Sequence, residues 1–172
     1  MSLLEEFDYR VKPPNRLQRA LQRAAGRKRV SSTLQRTLYP LDKTLHRASG
    51  GRSTVASLFT GLPVILLTTT GARTRRDRVS PLMGVPMAGN LAVIGSNFGT
   101  EATPGWVYNL EANPAAMVTY RDLRIAVVAR RANRQETDRA FELAATGYAA
   151  FSAYRTRAVH REIKVFTLEA AD

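Results

Sequence analysis

Between Val64 and Leu82 the chain reads VILLTTTGARTRRDRVSPL, and no other stretch restricts the fold as much. Aliphatic residues and threonines run together from Val64 to Thr70, a composition that packs well on a pleated surface and predicts a buried strand. Gly71 ends the run. Arg73, Arg75, Arg76 and Arg78 then crowd into a turn, and a second strand pattern begins at Val79. Two strands joined by so short a turn pair antiparallel. The turn therefore holds planar guanidinium forks at the edge of a rigid sheet, a geometry suited to phosphate oxygens. A solvated hairpin tip is the plain alternative.

The remaining pattern extends this β body. Val79–Met87 and Leu91–Ser96 continue as a meander through the tight-turn signature Ala88-Gly89-Asn90. Met117–Tyr120 and Arg124–Arg130 read as a hairpin around Arg121-Asp122, and Ile163–Leu168 as the last strand. Helices are expected over Thr103–Ala112, from the Asn133 cap to about Thr146, and over the aromatic segment Tyr148–Tyr154. About six antiparallel strands with short helices predict a small closed or split barrel, which also removes exposed sheet edges.

Ahead of this body, residues 1–14 end in Pro13-Pro14 and are expected to be loose. Asn15 can cap a helix from Arg16 to Lys28 in which Leu17, Leu21 and Ala24 form one stripe and Arg16, Arg19, Arg23 and Arg27 another. A second helix is expected from Pro40 to Gly50-Gly51. The expected division is a basic N-terminal helical extension over residues 1–50 and a split β-barrel, cofactor-binding domain over 51–172.

Composition narrows the function classes. The 172 residues carry a net charge of +12, and only four of the 26 basic residues are lysines. Residues 1–50 hold eleven basic and four acidic side chains against fifteen and ten in the rest, so the excess is concentrated at the N-terminal end. Such asymmetry points to an anionic counterpart: nucleic acid, a membrane, or a multiply charged small molecule. Absence of cysteine removes disulfide, thiolate and cysteine–metal chemistry. His46 and His160 are the only histidines, and no acidic spacing forms a carboxylate pair or cation cage, so no metal site is expected. There is no apolar run of membrane-spanning length and no secretory signal pattern at the start. A cytoplasmic enzyme is the expectation, with hard chemistry supplied by a cofactor.

Two further constellations fit that idea. Ser96-Asn97-Phe98-Gly99 ends a strand in small polar residues, and Pro104-Gly105-Trp106-Val107-Tyr108-Asn109-Leu110 follows with the single tryptophan. Ser96 and nearby backbone amides would suit ring carbonyls or phosphates, and Trp106 would wall a planar ring; alternatively Trp106 and Leu110 are core. Tyr148, Phe151 and Tyr154 recur at steps of three, as an aromatic lid or as plain packing. Neither a dinucleotide fingerprint nor a P-loop is present.

Taken together, the block at residues 66–82, Ser96-Asn97 with Gly99, Trp106 and Asn109 with Asn113-Pro114, and the tyrosine-bearing segment resemble the deazaflavin (F420)-dependent nitroreductase family of split β-barrel, FMN-binding-like oxidoreductases. The resemblance covers roughly residues 45–170. It implies that Arg73, Thr74 and Arg78 contact the phosphate of coenzyme F420, and that Val79, Pro81 and Leu82 lie along the deazaflavin ring. It places Ser96, Asn97 and Gly99 at the ring edge, with Trp106 and Asn109 closing the groove. Met83, Tyr148, Phe151 and Tyr154 would face the substrate, with Tyr148, Tyr154 or Ser96 as proton donors. This chain has Gly71-Ala72-Arg73-Thr74-Arg75 where the family commonly reads G-R-K-T-G, and Met83 and Phe151 where some members carry tyrosine.

The activity implied is hydride transfer from the reduced deazaflavin to an electron-poor acceptor such as a quinone, activated alkene or nitroaromatic. The basic helix at residues 16–28 would grip the anionic cofactor tail or lie on the inner face of an anionic membrane. FMN in the same fold is the nearest rival reading. A non-enzymatic membrane or nucleic-acid binder is the rival from another class, although the aromatics do not interleave with arginines as nucleic-acid binding requires.

Overall fold

The structure, a computed structural model, describes residues 2–9, 63–148 and 150–171. The expected helices at Arg16–Lys28 and from Pro40, and the boundary at residue 50, lie outside these residues.

Seven strands form one antiparallel sheet: β1 (Val64–Thr70), β2 (Asp77–Met83), β3 (Val85–Met87), β4 (Asn90–Ile94), β5 (Ala115–Tyr120), β6 (Leu123–Arg131) and β7 (Val165–Ala170). Their order is β2-β1-β5-β6-β7-β4-β3. The two outermost strands, β2 and β3, are consecutive in sequence and separated only by Gly84. A sheet whose opposite edges are one continuous stretch of chain must curl back on itself, and the result is a half-barrel.

That corner differs from the single strand expected over Val79–Met87. Its cause is a tertiary contact that no local pattern encodes. A Cβ on Gly84 would stand 2.9 Å from the Tyr9 hydroxyl and 3.1 Å from Leu91 Cδ2. Tyr9 Oη donates to the Gly84 carbonyl at 2.7 Å. The chain breaks its strand where a buried phenol comes against the backbone.

Tyr9 belongs to a segment that corrects a second expectation. Residues 2–9 are not loose. Ser2 caps a short helix, α1 (Leu3–Glu6), through a reciprocal capping box with Glu5. Leu3 and Phe7, at i and i+4, are fully buried. Phe7 and Tyr9 pack on Tyr120, with ring centroids 6.0 and 4.8 Å apart. The segment fills one end of the barrel interior beside Ile65, Leu67, Val118 and Leu168.

Among the described residues, three longer helices accompany the sheet: α2 (Gly105–Ala112), α3 (Arg134–Gly147) and α4 (Ala150–Arg157). Helix α2 buries Trp106, Val107 and Leu110 in the barrel interior. Helix α3 buries Ala140, Phe141 and Ala144 as its period predicts, but on the opposite side of the sheet. There α3 and α4 cover Val85, Met87, Ala92 and Ile94 from β3 and β4. Strand β4 is therefore buried on both faces, which explains its unbroken apolar run Leu91–Ile94.

Candidate functional site

The arginine turn is a rigid, exposed frame. Gly71 N–H donates to the Arg76 carbonyl at 2.9 Å, and Arg75 N–H donates to the Gly71 carbonyl at 2.8 Å. A Cβ on Gly71 would meet Thr74 Oγ1 at 2.6 Å and the Arg76 carbonyl at 3.0 Å, so only glycine leaves this ring of contacts intact. Arg75 takes a left-handed conformation, with φ 54°. Arg73, Thr74, Arg75, Arg76 and Arg78 are all exposed, with Asp77 the one acid among them.

Asn109 holds this turn to the body. Its Oδ1 accepts from Ala72 N–H and its Nδ2 donates to Thr69 Oγ1, each at 2.9 Å. Asn109 is buried, and one amide joins strand β1, the arginine turn and helix α2. Trp106, one turn earlier on α2, is buried against Phe166 at 6.1 Å. Both residues stand behind the turn, on the barrel-interior side.

From the turn, β2 leads along the sheet edge. Its pairing with β1 sets Val79, Pro81 and Met83 opposite Thr68, Leu66 and Val64. Directly opposed residues share a face, so these six make an apolar strip on the outer surface of the sheet. Val79 is half-exposed, and Pro81 and Met83 are partly covered. Arg78, Ser80 and Leu82 take the other face, where Leu82 packs against the barrel interior.

Met83 ends the strip against the hydrophobic cluster that includes Tyr148, Phe151 and Tyr154. Tyr148, Phe151 and Tyr154 pack on one another with ring centroids 5.7–6.0 Å apart. Phe141 and Phe98 lie against the same group, at 6.4 Å from Phe151 and 5.9 Å from Tyr154. The hydroxyls of Tyr148 and Tyr154 share a hydrogen bond of 3.1 Å. Burial pushes both phenols above the ordinary tyrosine range, and the facing phenol raises Tyr154 further. Both therefore hold their protons at neutral pH.

The turn Ser96–Gly99 lies against the same cluster. Ser96 is right-handed, whereas Asn97, Phe98 and Gly99 have φ of 45°, 57° and 74°. For the two non-glycine residues such conformations cost about 1–3 kcal/mol each, so the surroundings must enforce them. Within the turn, Ser96 N–H donates to the Ile94 carbonyl and Gly99 N–H to the Ser96 carbonyl, each at 2.8 Å. A Cβ on Gly99 would meet the backbone of Tyr154 at 3.1 Å, so glycine is what lets α4 approach. Asn97 Nδ2 donates to the Ala102 carbonyl at 2.9 Å.

The fold thus gathers Met83, Tyr148, Phe151, Tyr154 and the Ser96–Gly99 turn into one region. Val79 and Pro81 connect it toward the turn that carries Arg73 and Thr74, while Arg78 leaves β2 from the other face. Leu82, Trp106 and Asn109 are set apart on the interior side. Sequence reasoning missed Thr69, the partner of Asn109, and Phe98, which joins the aromatic cluster. It also missed Arg161, whose guanidinium reaches the Ser96 turn; among so many arginines nothing marks this one.

Comparison with known proteins identifies one family over most of the chain. The family model described as F420H(2)-dependent quinone reductase matches residues 40–170. The F420H(2)-dependent quinone reductase Rv1261c of Mycobacterium tuberculosis is 30% identical over 102 residues, 59% of this chain and 67% of that protein. A solved F420-H2 dependent reductase, FDR-A, superposes with a TM-score of 0.57 at 34% identity, covering 62% of this chain and 94% of its own. A structure described as a domain-swapped dimer matches with the same TM-score and identity, covering 62% and 80%.

Proposed function

Because the chain belongs to the F420H(2)-dependent quinone reductase family, we propose that the outer face of β2 and its two flanking turns hold coenzyme F420 beside a quinone-type acceptor. The protein is an F420H2-dependent oxidoreductase, and F420 is its cofactor. The assignment of residues within that activity is our reading.

One observation carries it. The strip Val79–Pro81–Met83 begins beside an exposed cluster of arginines and ends at Met83, which packs against the hydrophobic cluster that includes Tyr148, Phe151 and Tyr154. The residues suit the group. The exposed arginines match an anionic phosphate, the apolar strip matches a flat ring, and the Ser96 turn offers small polar groups to a ring edge. When bound, the reduced cofactor supplies a hydride.

In this reading Arg73, Thr74 and Arg78 bind the phosphate, and Gly71 and Asn109 fix the turn that presents them. Val79 and Pro81 support the ring, and Ser96, Asn97 and Gly99 meet its edge. Met83, Phe151, Tyr148 and Tyr154 wall the acceptor and exclude water from it. The hydroxyls of Tyr148 and Tyr154 keep their protons and are weaker acids for being buried, so they serve the acceptor oxygen as hydrogen-bond donors, with Ser96 Oγ as the alternative donor. Leu82 and Trp106 back the groove from the interior.

Fluorescence titration of oxidised F420 tests the assignment. We expect saturable binding that is lost in the double variant Arg73→Ala/Arg78→Ala, while turnover of menadione by the intact protein with F420H2 persists. Wild-type affinity in the double variant overturns the phosphate assignment. A cytoplasmic enzyme that meets its quinone at an anionic membrane through residues 16–28 completes the proposal. Sedimentation with anionic vesicles that survives deletion of those residues refutes that part. Among the described residues no helix is long and apolar enough to cross a membrane.

A further inference from the structure

Arg161 lies in the segment between α4 and β7, outside the residues assigned to cofactor and acceptor. Its guanidinium donates to three main-chain carbonyls at once: Nε to Thr100 at 3.1 Å, Nη1 to Gly95 at 3.0 Å and Nη2 to Ser96 at 2.9 Å. These three carbonyls bracket the turn in which Asn97, Phe98 and Gly99 are held left-handed. A planar, always-charged fork is the one side chain able to span them, since an ammonium has no fixed plane and a shorter reach of donors. Burial draws its pKa below the ordinary arginine value, so the charge is kept in place against a cost of desolvation.

The same residue is tied to the aromatic wall. Arg161 N–H donates to the Ala158 carbonyl, and Ala158 N–H to the Tyr154 carbonyl, each at 3.1 Å. Gly99 in turn packs directly on the Tyr154 backbone. One guanidinium therefore closes a loop of contacts that runs from Ser96 through Gly99 and Tyr154 back to itself.

We propose that Arg161 is a positioning residue that fixes the distance between the cofactor-edge turn Ser96–Gly99 and the acceptor wall at Tyr154. The inference rests on the placement of cofactor and acceptor given above. It makes the separation of the two reactants a property of one side chain that touches neither. A hydride moves only over a short, well-aligned gap, so loosening this clamp acts on the chemical step more than on binding of the acceptor.

Arg161 also lines an open cleft of about 470 Å³ between α3 and the end of α4, so a deleted guanidinium leaves a space open to small cations. The experiment uses Arg161→Ala and Arg161→Lys in the full chain, with Ser96→Ala in parallel. It reads F420 affinity, kcat and KM for menadione with F420H2, and the melting temperature. We expect kcat to fall by about 10²-fold in Arg161→Ala, with KM for menadione little changed. Arg161→Lys recovers little of the loss, and millimolar guanidinium chloride restores part of kcat in Arg161→Ala only. A variant that melts earlier yet keeps wild-type kcat per folded molecule overturns the inference, and so does full recovery by lysine. If Ser96→Ala weakens F420 binding while both Arg161 variants behave as wild type, the clamp alone fails. If Ser96→Ala leaves F420 affinity unchanged, the placement of the ring edge fails and the inference with it.

Discussion

At the scale of single residues, Asn109 shows how a polar group can serve a site without facing it. Both ends of its amide are engaged, with Ala72 N–H and Thr69 Oγ1, and the residue is buried. Asn109→Ala takes the acceptor from the part-buried Ala72 N–H and leaves the buried Thr69 hydroxyl only its contact to the Arg78 carbonyl, a loss of about 1–3 kcal/mol. Urea unfolding should register a loss of that order. The same variant should weaken F420 binding, because the arginine turn loses its attachment to α2. Asn109→Asp separates the two bonds: its carboxylate still accepts from Ala72 but cannot donate to Thr69, so it should fall between wild type and alanine.

At the scale of elements, the start of α3 is the best-tied helix end in the described chain. Asn133 and Glu136 form a reciprocal capping box, with Glu136 N–H donating to Asn133 Oδ1 at 2.9 Å and Asn133 N–H to Glu136 Oε2 at 2.8 Å. Arg130 on β6 grips the same carboxylate with two bonds of 2.7 and 3.0 Å and reaches Glu169 on β7. The Arg130 bonds, followed by the cap, lower the Glu136 pKa from an ordinary 4.5 to about 2. A depressed carboxyl pKa stabilises the fold above its unfolded value and loses that contribution as pH falls through the folded one. The stability difference between wild type and Glu136→Gln should thus be constant above about pH 5 and shrink between pH 4.5 and 2. The pair is open to solvent, so added salt should reduce the difference at every pH. A gap that widens on acidification would contradict this assignment. The element scale also marks how much the sequence reveals. Hairpins whose turns carry their own chemistry, such as Ala88-Gly89-Asn90 and Arg121-Asp122, are legible, and so is α3 from its cap and period. The break at Gly84 is not, because residues on both sides have strand composition and the interruption is imposed by Tyr9. The capping box at Ser2 and Glu5 was present in the sequence, but its packing partner Tyr120 lies far along the chain. Within the site, the grouping of Met83 with Tyr148, Phe151 and Tyr154 is implied by the family resemblance, and their sharing of one hydrophobic cluster is set by tertiary packing. Whether Asn109 faces a ligand or a loop is decided only in three dimensions.

At the scale of the whole molecule, the barrel interior is completed by its own first residues. Phe7 is about as buried as any side chain in the interior, and it contacts Tyr120 near the far end of β5. Phe7→Ala should destabilise the fold by about 3–5 kcal/mol, read by chemical unfolding, since the plugged end cannot collapse into the space. A loss below about 1 kcal/mol would mean that the segment is a passenger rather than part of the core. Strand β7 places a comparable demand on assembly, because it lies between β6 and β4 and alone joins them. During synthesis the β3–β4 hairpin therefore emerges with Leu91, Ala92, Val93 and Ile94 bare and must wait through most of the later chain for its neighbour. Until then the sheet is two unfinished halves, β2-β1-β5-β6 and β4-β3, which only the last strand can join.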